Sequence, residues 1–219
     1  MGTGAPPTLR TPLILLAAAD LAVLGMRLWP WPEAMNLPGN GTTGLDPAIS
    51  LLGYIVLILW INTNKQEPFQ RALSMGTMLG LPAGLLLAAN VVLAVRPTGH
   101  PGFLQPGLLA LAGVLWGIAG LRGSRVEANA GMGLICGVWS AMVSGLIGCA
   151  AVLATMYLAG PPPEIQDPWK QYQGLAIGNP ETQALVHSLN TATGFLLVGP
   201  LVGAAMGLMF AFFGQSQKS

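Results

Sequence analysis

Charge is what this sequence has least of. Nine of its 219 residues are Lys or Arg and eight are Asp or Glu, so 8% are charged, where a soluble globular domain carries about 25%. So few charges cannot cover the surface of a soluble 22.6 kDa chain, which excludes a soluble enzyme. A net charge of +1 supplies no basic field for DNA or RNA, so nucleic acid is excluded as a partner. With 53% hydrophobic residues, the chain is also far too apolar for intrinsic disorder.

Metal-binding and redox residues are scarce too. The two cysteines, Cys136 and Cys149, fall in one apolar run. Thirteen residues along a helix separate them by roughly 20 Å, beyond the ~7 Å Cα reach of a disulfide, so they read as small buried side chains. The two histidines are His100, in the turn Thr98-Gly99-His100-Pro101, and His187. Paired ligation of a haem or chlorin would need one or both. No other metal-ligand cluster accompanies them, so no metal site is assigned and the cofactor stays unknown. No Lys lies in an apolar run, which excludes a retinal Schiff base, and there is no P-loop, H-E-x-x-H or C-x-x-C. Ser144-Gly145 with His187 fails as an intramembrane protease pair. Met142 stands where the first glycine of G-x-S-G belongs, and the two side chains differ in depth by about 15 Å.

What the sequence does have is long apolar runs, and it predicts an all-α polytopic helix bundle in one membrane domain over 1–219. About 20 apolar residues cross a bilayer, and six spans are expected near 12–29, 47–63, 72–95, 101–121, 130–159 and 184–213. Thr11-Pro12, Asp46-Pro47 and Asn179-Pro180-Glu181 each read as a helix start. The last run is longer than a bilayer requires, so its first turns are expected at headgroup level or the helix bends at Gly199-Pro200. Cleavage after Ala17-Ala18-Ala19 would leave seven apolar residues from Leu13, at the edge of the signal-peptide range of about 7–15, so this segment is expected to be a retained first span.

Basic residues orient the bundle. Arg10, Lys65, Arg71, Arg122, Arg125 and Lys218 fall on one side, Arg27, Arg96 and Lys170 on the other. That bias predicts both termini in the cytoplasm, in a membrane taken to be the bacterial cytoplasmic one. The outward segments are then 30–46 and 160–183, rich in Pro, Gly and aromatics such as Trp29, Trp31, Trp169 and Tyr172, which suit headgroup anchoring. Asn40-Gly41-Thr42 matches a glycosylation sequon, a short match discounted in a glycine-rich turn. Leu59-Trp60 to Met75-Gly76 and Leu115-Trp116 to Met132-Gly133 form a weak parallel repeat of two hairpins. Duplication and chance in low-complexity sequence both produce such a pattern.

Small residues four apart are the strongest local signal. Gly76, Gly80 and Gly84 form one line, Gly133, Gly137, Ala141 and Gly145 a second, Gly199, Gly203 and Gly207 a third, with Gly113 and Gly117 as a shorter fourth. That spacing shares one helix face and lets helix backbones approach. These lines are expected to pack the bundle itself, with an oligomer or partner face as the functional alternative.

Few polar residues interrupt the runs. Asp20 sits mid-span and Arg27 two turns later on the same side. An acid there marks a functional hypothesis, and it must be neutral, paired or facing a wet cavity. Asp20 is expected to face the interior and hydrogen-bond a neighbouring helix, while Arg27 reaches toward the headgroups. Asn90, His187, Asn190, Thr191 and Thr193 are candidates for the rim of a small ligand cavity, or for ordinary interhelical hydrogen bonds.

Packing motifs, short loops and the lack of any catalytic constellation point first to a non-enzymatic accessory or scaffolding subunit of a larger membrane complex. Its expected partners are membrane lipids and other membrane subunits or a second copy. A small-solute transporter or substrate-binding subunit of an importer, using Asp20 and the outer polar residues, is the alternative. A cofactor-binding subunit of an electron-transfer or light-harvesting complex is the third.

Overall fold

The computed structural model describes residues 10–29, 45–63, 66–95, 103–127, 129–158 and 180–216. The candidate His100, the sequon at Asn40 and most of the two outward segments lie outside the described residues. The elements are α1 (Arg10–Leu28), α2 (Asp46–Thr63), α3 (Glu67–Val95), α4 (Leu104–Glu127), α5 (Ala130–Leu158), α6 (Pro180–Thr193), a π-helical segment (Gly194–Val198) and α7 (Gly199–Ser216). There is no strand among the described residues. Five helical stretches are long and apolar enough to cross a membrane, α6 running into α7 as one of them, and Asp46–Ile61 is a shorter apolar helix. The protein is an all-α membrane helix bundle.

Several helices outrun the apolar stretches that announce them. α3 begins at Glu67 instead of Ala72, because Glu67 and Arg71 form an ion pair at 3.1 Å across one turn that supports helix outside the apolar part. α4 likewise runs on through Arg122 and Arg125 to Glu127. Helix continues where the side chains are polar, so hydropathy marks the span and not the helix.

The helices divide into a solid core and a flank. α4 and α5 pack along each other and each along both α3 and α7, with α5 at the centre. In its spanning stretch 72% of the residues are buried, against 22–33% in the others. α1 and α2 pack together beside α5, and α2 also meets α6 and the π segment. The two hairpins of the apparent repeat therefore differ. α4 lies along α5, whereas α2 rests on α1, α6 and the π segment and not along α3. Trp60 is exposed and Trp116 is buried.

Candidate functional site

The core closes on glycine. A methyl group placed on Gly80 would stand 2.7 Å from the Ser140 carbonyl oxygen, and one on Gly84 2.5 Å from Ile147 Cδ1. The α3 line, which begins at Gly76, therefore lies on α5. On the opposite side of α5, Gly133, Gly137 and Gly145 meet the Gly120 carbonyl, the Gly203 carbonyl and the Phe195 carbonyl in turn. From α7, Gly203 and Gly207 return the contact on Gly137 and Gly133. Gly199 does not belong to this set, since a methyl there would approach only the Ala141 carbonyl, at 4.0 Å. Gly120 and Gly123, which fall off the four-residue spacing of Gly113 and Gly117, meet Gly207 and Cys136 at close range. Missing side chains bring backbones together, and dispersion contacts replace the hydrophobic drive that lipid cannot supply.

Hydrogen bonds inside the core are few and mostly complete. Trp139 Nε1 donates to Thr77 Oγ1 at 2.8 Å and Trp116 Nε1 to Ser144 Oγ at 3.0 Å. Ser144 in turn donates to the Ala141 carbonyl at 2.9 Å, so its hydroxyl is fully engaged in structure. Sequence spacing gave no hint of these pairs, because Trp and Thr or Ser meet across helices.

The break in the last span has a local cause. In an α-helix, the N–H of residue 200 would bond the Leu196 carbonyl, and Pro200 has none. The ladder instead widens, with Gly199 N–H bonded to the Gly194 carbonyl. The Leu196 carbonyl is taken by the Tyr54 hydroxyl, which donates to it at 2.7 Å. One side chain of α2 thus supplies the bond that proline withholds. π segments of this kind recur at functional sites.

Asp20 lies on the same flank of the core. Its side chain faces the interior at 4% exposure, on the side of Cys149 of α5. Counted along each helix, Asp20 stands eight residues before Leu28, Tyr54 eight after Asp46 and Cys149 nine before Leu158. All three thus sit roughly 12–14 Å from the same end of the bundle. The hydrogen bond expected of Asp20 is not made at Oδ2, which is buried without a partner. The α5 surface opposite is Cys149 among aliphatic side chains. Arg27 turns instead to the end of α5, where Nη2 makes a long hydrogen bond of 3.5 Å to the Met156 carbonyl, one of the last-turn carbonyls that lack helical partners.

The remaining polar candidates do not converge on Asp20. His187 and Asn190 are exposed. Thr191 and Thr193 donate to the carbonyls of His187 and Leu189, one turn back on their own helix. Asn90 Oδ1 and Ser140 Oγ are buried without partners. Among the described residues no group of three or more His, Cys, Asp or Glu is placed to hold a metal ion.

Beside the Tyr54 bond, α2 stands off α7 and leaves a lateral groove of about 530 Å³ between α2, α5 and the π segment. Tyr54, Met142 and Leu196 form its floor, Gly53 and Leu197 stand at its lips, and Asp46 and Ser50 lie at one end. No protein-family model, curated protein or solved structure matches the chain.

Proposed function

We propose that the chain is a non-enzymatic multi-pass membrane protein serving as an accessory or scaffolding subunit of a larger membrane complex. The observation that carries this is the solid centre of the bundle. Transporters hold their substrate near the midplane, between helices able to part. Here α5 lies in backbone contact with α7 at Gly137, Gly203 and Gly207, and at its middle Gly145 closes on the Phe195 carbonyl of the π segment. What the protein offers to others is its outer surface, where Leu85, Leu201, Val56 and Phe213 are exposed. Such side chains suit lipid or a neighbouring subunit's helix. Native mass measurement in mild detergent tests this. A second polypeptide, or a second copy, bound in fixed ratio is expected, and a monomer carrying lipid alone would overturn the proposal.

One observation favours a second reading, a small-solute transporter or the substrate-binding subunit of an importer. It is the buried Asp20 carboxylate, since intramembrane acids mark ion and substrate pathways. Solute uptake by proteoliposomes of the purified chain alone, abolished in Asp20→Asn, would replace the first proposal with this one.

We also infer that both termini face the cytoplasm. Arg71, Arg122 and Arg125 stand at the end of the bundle where α7 finishes, and Arg27 at the other. A thiol introduced at Ser216 is expected to react with an impermeant reagent only after the cells are opened. Labelling in intact cells would reverse the orientation.

A further inference from the structure

We propose that the groove between α2 and the π segment is a lipid-binding site. It takes one acyl chain of a phospholipid whose ammonium headgroup sits at Asp46. Depth is the first support. From Asp46 at the start of α2 to Leu57, the deepest α2 residue on the groove wall, eleven residues rise roughly 16 Å. Half of a hydrocarbon core of ~30 Å is about 15 Å, so the α2 wall runs about the depth of one leaflet, while Val138 on α5 carries the lining somewhat past the middle of that helix. A partner helix would cross both leaflets and outrun the α2 wall.

Lining chemistry is the second support. The walls are aliphatic except at the Asp46 end and at Tyr54. The Tyr54 hydroxyl is committed to the Leu196 carbonyl and Ser50 Oγ donates to the Asp46 carbonyl at 2.7 Å, so neither hydroxyl proton is left for a polar guest deep in the groove. The polar end carries a carboxylate, which selects a cationic group at headgroup level over an anionic one. A volume of about 530 Å³ lies within the ~300–1,000 Å³ range of ligand pockets.

Gly53 makes the site testable without disturbing the bundle. It stands at the groove lip, and a Cβ there would meet nothing within 4 Å, so its lack of a side chain serves no helix contact. Gly53→Phe fills the groove from α2. Gly25→Phe, equally open but away from the groove, is the control.

The experiment is native mass spectrometry of the full chain, delipidated in detergent and titrated with phosphatidylethanolamine or phosphatidylglycerol of equal chain length. One phosphatidylethanolamine is expected to bind in preference to phosphatidylglycerol. Gly53→Phe should weaken that first binding tenfold or more, while Gly25→Phe leaves it intact and the thermal midpoint stays unchanged. Asp46→Asn should remove the headgroup preference and keep the chain. Equal, graded loss of lipid from wild type and both glycine variants would show annular lipid only and overturn the site. So would a segment of another protein cross-linked from Gly53→Cys in membranes, which would make the groove a helix contact.

Discussion

Gly137→Leu is expected to be among the most destabilising substitutions at the glycines of the bundle. Gly137 lies where α5 and α7 meet, and a Cβ there would stand 2.7 Å from Gly207 Cα and closer still to the Gly203 carbonyl. Both obstacles are backbone, so no rotamer change makes room and a whole helix must move. Overpacking a core commonly costs about 1–3 kcal/mol, and an immovable neighbour puts this site at the top of that range or beyond it. Gly137→Ala, adding one methyl, should show the same direction at smaller size, which keeps the test readable if the leucine variant does not fold. Gly107→Leu adds the same side chain where nothing lies within 4 Å and should leave the thermal midpoint in detergent at the wild-type value. A Gly137→Leu midpoint equal to that of Gly107→Leu would mean that α5 and α7 are not in close contact.

Asp20→Leu is expected to act in the opposite direction and stabilise the protein. Leucine branches at Cγ as aspartate does, so it occupies a similar shape while removing the polar atoms. A buried polar atom without a partner costs about 1–3 kcal/mol, and an acid at the centre of a span costs about 2.5–3.5 kcal/mol on insertion scales. With Oδ2 unpartnered and aliphatic side chains around it, most of that cost should be recovered as a higher midpoint. Asp20→Asn keeps the polarity and should change stability little. A protein that retains an unpartnered acid at such expense uses it. Loss of complex assembly or of transport in both variants, with the fold intact, would therefore place Asp20 in function. A lower midpoint for Asp20→Leu would show that the carboxylate is held by a stabilising bond.

How legible these features are in the sequence differs by kind. The all-α membrane class follows from charge scarcity and apolar run length, because a bilayer imposes both directly. Helix ends such as Glu67 and Glu127 escape hydropathy, which weighs transfer into lipid and is blind to helix that continues in the headgroup zone. The π segment is half legible. Gly199-Pro200 marks a bend, but the lost donor acts four residues earlier, at Leu196, and the hydroxyl that answers it comes from Tyr54, 142 residues away in the chain. For the polar candidates the sequence supplies depth without direction. Asp20, Asn90, His187 and Asn190 all fall in or near spans, yet His187 and Asn190 point outward while Asp20 faces α5. A helix that packs on only part of its circumference does not reveal from composition which part that is.

The composition of the core also fixes an order of events during synthesis. The glycine face of α5 is covered by α7, and some seventy residues separate Gly137 from Gly207. At about 5–20 residues per second, the ribosome takes roughly 4–14 s to supply the covering helix after α5 has been made. During that interval α3, α4 and α5 are assembled around a face with no partner, open to lipid or to any helix with small residues of its own. An insertase or membrane chaperone that shields this face would protect the nascent bundle from mispairing, and the α1–α2 flank, made first, can complete its hold on the π segment only when the last span has entered.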